Sequence, residues 1–397
     1  MLSFLMLQGN ATPFFSELAI ALRAAGHHVR RIAFNGGDVV FSHDVTWFRG
    51  RERALPAFLE KIIAEDKPDG LILFGDCRPI HLVATDIARA HGIAIWVFEE
   101  GYLRPGWITL EPHGVNGFSA LPRDAAHIRE RGQAPWPPMH YNPHSDFLRR
   151  AVYDVSYHGL RVAMAALFPH ARFHAAVSPF VEYAGWLRDW TGRLVRKPKD
   201  AILPQGPFML VPMQLDGDYQ LRVHSPFRGM AEALEQILAS FAAHAPDTLS
   251  LVVRRHPLDP RLTDWEGLIT QRTRALGIAA RVYFMADGQL DPVLDASEGI
   301  VTVNSTVGLL ALRRDRPVKI LGEAIYDVPG LTFQEPLDLF WRAASRPDAE
   351  LLDAFCRMLI QEVLVEGDFF TPEGRALAVE GSVRRIVSAY SDRARSA

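Results

Sequence analysis

Short apolar runs alternate with amphipathic stretches along this chain, and each apolar run breaks at a small polar cluster. Ser3–Leu7 stops at Gln8-Gly9-Asn10, and Val29–Phe34 stops at Asn35-Gly36-Gly37-Asp38. Gly70–Phe74 stops at Gly75-Asp76-Cys77-Arg78, and Ile93–Phe98 at Glu99-Glu100-Gly101-Tyr102-Leu103-Arg104. Unbroken apolar runs without alternation are the pattern of strands buried on both faces, as in a parallel sheet. The intervening stretches carry apolar residues at helical spacing. Phe14, Phe15, Leu18, Ala19 and Leu22 form one face of a helix that opens at Pro13 and stops at Gly26; Ala54–Ala64 and Ile80–His91 are further helices. The β-α alternation predicts a parallel sheet covered by helices, with four polar strand ends brought to one edge.

The pattern returns in the second half. Met209–Val211, Ser250–Arg254, Val282–Phe284, Ile300–Val303 and Val318–Leu321 read as strands, with helices over Gly229–His244 and Thr263–Leu276 and a short one ending near Ala311. Asp348–Val363 and Arg375–Tyr390 read as closing helices. Again the strand ends are polar. The first runs into Gln214, Asp216, Gly217 and Asp218, the second into Arg255-His256-Pro257, and the fourth into Asn304-Ser305-Thr306. Carboxylates flanking a glycine beyond a strand suit chemistry at a crevice, and they equally suit a turn in which each aspartate bonds nearby backbone. Asn-Ser-Thr between strand and helix suits an anion and is also a plain N-cap. Glu99 and Glu100 form a pair in which one member can serve as general base, or in which Glu99 pairs with Arg78 or Arg104 to order the loop. Neither half has GxGxxG, so no dinucleotide fingerprint is present.

Between the halves, Gly132–His144 is Pro-rich and reads as a linker. Asp146–Lys199 reads as helical, aromatic and basic. Packing with the arginines on the solvated side is the plainer reading, and an anionic membrane surface the alternative. This divides the chain into residues 1–131, 132–199, 200–335 and 336–397.

Composition narrows the class. At 397 residues the chain fits two domains, and 48% hydrophobic residues supply their cores. A net charge of −3 argues against a nucleic-acid partner. Two cysteines, Cys77 and Cys356, build neither a disulfide framework nor a cysteine zinc site. No apolar run is long enough to span a bilayer, and MLSFLMLQGN reads as a strand, not a signal peptide. The expectation is a cytoplasmic protein, soluble or peripheral on a membrane.

The motifs FLMLQGNATPFF, LILFGDCRPIH, VFEEGYLRPGWITLE, VPMQLDGDYQLRVHSPF, RHPLDP, VTVNSTVGLLAL and PVKILGEAIYDVPGLT, in this order, resemble the capsule polysaccharide biosynthesis and export family of the KpsS/LipB type. That resemblance implies an α/β fold of two Rossmann-like domains in a GT-B-like glycosyltransferase arrangement with an inserted helical segment. It implies a retaining β-Kdo transferase, with CMP-Kdo as donor and a lyso-phosphatidylglycerol-type lipid at the inner membrane as acceptor. The product would begin the linker for capsule polysaccharide, alongside other capsule biosynthesis and export proteins. The competing class is a non-catalytic export or scaffold protein that binds the glycolipid. Under the enzyme reading Asp218 is the nucleophile, on the Gln-x-x-x-Asp spacing from Gln214, with Asp216 the alternate. Glu100 is the base, in a motif reading Glu99-Glu100-Gly101 where related linker enzymes have Glu-Asp-Gly. His256, with Arg255 and Pro257, holds the donor phosphate; Asn304, Ser305 and Thr306 stabilise the leaving charge; Glu99 and Arg104 contact substrate. CMP leaves readily as a phosphate monoester, so no metal or cofactor is expected.

Overall fold

The structure is a computed structural model that describes residues 1–42, 44–143, 147–171 and 203–396. The chain forms two compact units. The first comprises Met1–Ala120, Ala134–His174 and Arg357–Ala397, and the second Leu121–Gln133 and Ala175–Cys356.

In the first unit the chain runs β1 (Ser3–Met6), α1 (Phe14–Ala24), β2 (His28–Ala33), β3 (Thr46–Trp47), α2 (Leu55–Asp66), β4 (Gly70–Phe74), α3 (Pro79–Ala90), β5 (Ala94–Glu100) and β6 (Trp107–Pro112). After α4 (Ala125–Arg131), which belongs to the second unit, α5 (Phe147–Ala163) completes this part. Strands β3, β2, β1, β4 and β5 are parallel neighbours in that order. This is the doubly wound order, whose direction reverses between β1 and β4, and ligands of such sheets bind at that switch point.

The second unit repeats the plan: β7 (Phe208–Pro212), α6 (Tyr219–Val223), α7 (Met230–His244), β8 (Ser250–Arg254), α8 (Trp265–Ala275), β9 (Val282–Met285), α9 (Leu290–Ala296), β10 (Gly299–Thr302), α10 (Val307–Leu312), β11 (Val318–Ile320) and α11 (Leu337–Ala343). Its five strands are parallel in the order β9-β8-β7-β10-β11, with the reversal between β7 and β10. The fold class is α/β with two Rossmann-like units, as the strand pattern predicted.

The chain then returns to the first unit. Helix α12 (Ala349–Glu362) leads into β12 (Leu364–Glu366), which pairs antiparallel with β6, and α13 (Pro372–Ser396) packs beside α1. One face of the first sheet is buried by α1 and α13 through Phe14, Phe15, Phe98, Phe369 and Ile386. The other is buried by α2 and α3 through Leu59, Ile62, Ile80 and Ala84. The second sheet buries Val211, Val253 and Val301 under Leu234, Ile237, Phe241 and Trp265.

Two local features differ from the sequence reading. The strand expected to stop at Phe98 continues through Glu100, because β6 pairs antiparallel with it and places Thr109 opposite Glu99 and Ile108 opposite Glu100. The Pro-rich stretch is no free connector. The Glu366 carboxylate accepts the backbone N–H groups of His140 and Tyr141, and the Tyr141 hydroxyl, on a buried ring, bonds Asp368. Carboxylates next to β12 thereby fix residues that proline leaves unable to form a ladder. Of the aromatic segment, the structure describes α5 and the turn after it; Phe173, Phe180, Tyr183, Trp186 and Trp190 lie outside the described residues.

Candidate functional site

Each unit gathers polar side chains at its own switch point. In the first unit, Gln8 leaves β1 and Arg78 precedes α3. An Arg78 guanidinium N–H donates to Gln8 Oε1 at 2.9 Å and to the Gly9 carbonyl at 3.2 Å. The Gln8 amide N–H₂ faces the other way, donating to both oxygens of Asp38 at 3.0 Å and to the Tyr157 hydroxyl at 3.1 Å. Asp38 closes a capping box with Asn35 after β2 and accepts the Tyr157 hydroxyl at 2.7 Å. Burial and the Asp38 charge push the Tyr157 phenol far above its ordinary range, so it stays a donor. Gly37 admits this ring; a Cβ there would lie 2.7 Å from Tyr157.

Glu99 and Glu100 end β5 on the other side of the switch. Glu99 Oε1 accepts the Glu100 N–H at 3.0 Å. Its other oxygen approaches Gly75, whose φ of 65° and missing Cβ both matter, since a Cβ would stand 3.3 Å from Glu99 Oε2. Burial raises the Glu99 carboxyl to about 7; the Glu100 charge adds to this, while the Glu100 N–H, Arg104 and Arg78 oppose it. Glu100 itself lies 4.0 Å from Arg104, which also donates to the Gly101 carbonyl. The guanidinium thus pairs with the second glutamate of the motif, and the first carries the tuned carboxyl.

In the second unit a reciprocal amide pair ties β7 to β10. Gln214 Nε2 donates to Asn304 Oδ1 at 2.8 Å, and the Asn304 N–H donates to Gln214 Oε1 at 3.1 Å. Asn304 Nδ2 goes on to donate to the carbonyls of Gln220 and His224. Both residues therefore hold the loop that carries the aspartates. Asp218, half-buried, caps the five-residue α6 by accepting the Gln220 N–H at 2.9 Å. Asp216 is exposed and accepts the N–H of Met230 at the start of α7, at 2.7 Å.

His256 follows β8. Its Nδ1 accepts the Leu258 N–H at 3.1 Å, and burial together with Arg254 lowers its pKa. The ring is then neutral at physiological pH, with its proton on Nε2 as a donor. Arg254 and Arg255 turn toward the loop after β9, onto the carbonyls of Gly288 and Ala286, and Arg255 lies 3.4 Å from Asp287. Pro257 is exposed beside the imidazole. The Ser305 hydroxyl accepts the Val307 N–H, and the Ser305 carbonyl accepts the Tyr326 hydroxyl. Thr306 is the N-cap residue of α10 but makes no side-chain cap bond. With six residues in α10, the anion-binding contribution expected of the helix start is small.

The profile of the family described as capsule polysaccharide biosynthesis protein matches residues 69–370. The chain belongs to this family. It is 32% identical over 376 residues to the capsule polysaccharide export protein KpsS of Escherichia coli, covering 92% of this chain and 96% of KpsS. It is 33% identical over 390 residues to the capsule polysaccharide modification protein LipB of Neisseria meningitidis, covering 93% and 92%. Among solved structures, KpsC of Thermosulfurimonas dismutans, a beta Kdo 2,7 transferase, aligns over 98% of this chain and 99% of its own at 13% identity and a TM-score of 0.45. UDP-GlcNAc 2-epimerase from N. meningitidis aligns over 98% and 100% at 12% identity and a TM-score of 0.31. At that distance neither carries chemistry across to this capsule protein.

Sequence reasoning left Tyr157 and Arg78 off the list of site residues. Arg78 was visible as a charge at a strand end. Tyr157 carried no local signal, because its partners lie 119 and 149 residues away in sequence. Among the described residues, no helix is long and apolar enough to cross a membrane.

Proposed function

We propose that this capsule family member is a retaining glycosyltransferase that moves β-Kdo from CMP-Kdo to a lyso-phosphatidylglycerol-type lipid at the inner membrane, beginning the linker on which capsule polysaccharide is built. The observation that carries the reading is the switch-point loop of the second unit. There Asp218 stands half-buried with one oxygen held by a backbone N–H, on a loop braced by Gln214 and Asn304. A carboxylate so preoriented suits a nucleophile.

In the first displacement an Asp218 oxygen bonds to the anomeric carbon, and the bond from that carbon to the CMP phosphate oxygen breaks, its electron pair leaving with CMP. The neutral His256 and the Ser305 region are the candidate phosphate contacts. In the second, the acceptor hydroxyl attacks the anomeric carbon, the ester to Asp218 breaks, and the hydroxyl proton passes to a base. Two inversions give retention. We assign the base to Glu99 in preference to Glu100. A carboxyl at about 7 accepts a proton at neutral pH, whereas Glu100 is engaged with a guanidinium. As written, the route needs no metal, because the leaving group is already an anion.

The test is incubation with CMP-Kdo and a lysophospholipid, read by mass spectrometry. Wild type adds one Kdo. Asp218→Ala loses about 10³-fold or more in turnover while keeping CMP binding and melting only slightly lower, by the about 1 kcal/mol of the lost α6 cap; near-normal turnover removes Asp218 as nucleophile. A second reading, a non-catalytic export protein that hands on the glycolipid, takes its support from the export name of the E. coli relative. It requires no nucleotide, so absence of CMP binding by calorimetry would favour it.

A further inference from the structure

Helix α5 has its polarity reversed. Its inward side is aromatic and polar: Tyr157 is buried in the Gln8–Asp38–Asn35 cluster, and the Tyr153 hydroxyl accepts from Arg375 and its ring packs edge-on against Phe41. The backbones of Gly36 and Gly37 approach Leu160 and Tyr157 so closely that a Cβ at either would clash. Its outward side is aliphatic. Leu148, Val152, Val155 and Val162 are 74%, 52%, 59% and 42% exposed. Their spacing of four, three and seven residues puts them on one line of a helix. Gly159 lies on the same line, and a Cβ there would meet nothing within 4 Å. A helix packed on a soluble domain shows the opposite arrangement. The plainer expectation, arginines on the solvated side, holds only at the ends.

We propose that α5 docks the first unit onto an anionic lipid surface through this outward stripe, lying in the plane of the headgroups. The choice of a lipid surface follows from what borders the stripe. Exposed Arg149 stands at the helix's N-terminal end beside Leu148, while Arg150 turns to the inward side with its guanidinium 4.5 Å over the Phe370 ring. At the other end Phe168 stacks on Trp47 at 5.0 Å, and exposed Arg49 lies 4.5 Å over the same indole. The one acid on α5, Asp154, is half-buried on the flank, 3.6 Å from His158. An aliphatic stripe about 21 Å long with cations and an indole at its ends complements acyl chains beneath phosphate. The same arrangement disfavours a second copy of the chain, since a two-fold contact sets like charges together. The inference rests on the lipid acceptor proposed above, and it names the surface by which the protein reaches that lipid.

The full-length protein is co-sedimented with vesicles of phosphatidylcholine alone and of phosphatidylcholine mixed with phosphatidylglycerol. Wild type binds the mixed vesicles, and added salt weakens the binding. The double variant Val152→Glu/Val155→Glu, whose side chains point outward, keeps its circular dichroism and melting temperature and loses about tenfold or more in vesicle affinity. Val155→Cys carrying an environment-sensitive fluorophore shifts to the blue on mixed vesicles. Equal binding by the double variant, equal binding to both lipids, or an unchanged fluorophore spectrum overturns the proposal. So does a wild-type dimer in sedimentation velocity that the double variant converts to monomer, which would make the stripe a self-interface. Transfer to a detergent-dispersed lysolipid is measured in parallel. Lost transfer with intact vesicle binding fails the enzyme reading alone; intact transfer with glutamate-insensitive vesicle binding fails the docking alone.

Discussion

At Glu99, burial and the neighbouring Glu100 charge pull against a backbone N–H and two guanidinium groups. Its folded pKa of about 7 lies above the ordinary 4.5. The folded chain therefore binds this proton more tightly than the unfolded chain. Below about pH 4.5 both states are protonated and the group costs nothing. As pH rises toward 7 the unfolded chain releases its proton first, so stability falls, and above about 7 the loss is constant. It amounts to at most about 3 kcal/mol, less where water reaches the half-buried carboxyl. Glu99→Gln should then melt higher than wild type at pH 8, with the gap closing as pH falls from about 7 to about 4.5. In the transfer assay the same variant loses the acidic limb of the pH–rate profile near 7 together with most of the rate. Glu100→Gln leaves the limb in place. A limb that survives in Glu99→Gln and vanishes in Glu100→Gln returns the base to Glu100.

At the scale of elements, the loop after β7 depends on the amide pair between Gln214 and Asn304. Asn304 satisfies two further carbonyls, so Asn304→Ala leaves more groups unpaired than Gln214→Ala. Each should cost about 1–3 kcal/mol, the Asn304 change more, and the double variant should cost less than the sum of the two, because the Gln214 Nε2–Asn304 Oδ1 bond is lost in either single variant, while the backbone N–H of residue 304 keeps its Gln214 acceptor until Gln214 is changed. Urea denaturation of the four proteins measures this; strict additivity would mean that the two amides act separately. These elements also show how far the sequence was readable. The parallel strands were legible because strands buried on both faces leave continuous apolar runs, and Gly70–Phe74 and Ser250–Arg254 coincide with β4 and β8. Strand β6 was missed although Ile108-Thr109-Leu110-Glu111 alternates as a strand does, because the run is short and lies between Pro105-Gly106 and Pro112; its polar residues Thr109 and Glu111 are buried as well. Glu111 passes as a surface acid until Tyr102 and Ser119 are seen bonding its two oxygens. The acidic loop was located correctly, but no local pattern told that Asp216 caps α7 while Asp218 caps α6. Those partners depend on where the chain turns after Gly217. Likewise the polarity of α5 could not be read from its own residues, since an inward tyrosine needs Asp38 and Gln8 to receive its hydroxyl.

For the molecule as a whole, the informative feature is that the first unit is finished by residues that follow the second unit in sequence. Strand β12 covers the edge of β6, and an exposed edge invites pairing with other chains. Phe369, next to β12, is fully buried and meets Phe14 at 4.9 Å and Phe74 at 5.5 Å, both edge to face. Arg375 on α13 reaches Glu17 on α1 at 3.0 Å. The apolar face of the first sheet is therefore incomplete until residues 364–386 are in place, while among the described residues the core cluster of the second sheet holds none from that tail. Phe369→Ala removes a large side chain from a packed aromatic cluster and should cost about 3–5 kcal/mol. Hydrogen exchange read by mass spectrometry locates the loss. Protection should fall in β1, β5, β6 and α1, whereas β7, β8 and α7 keep theirs. Phe241→Ala, in the second core, should reverse the distribution. If Phe369→Ala instead strips protection evenly from both sets of strands, the two cores unfold as one cooperative body, and the tail stabilises the entire chain and not the first unit alone.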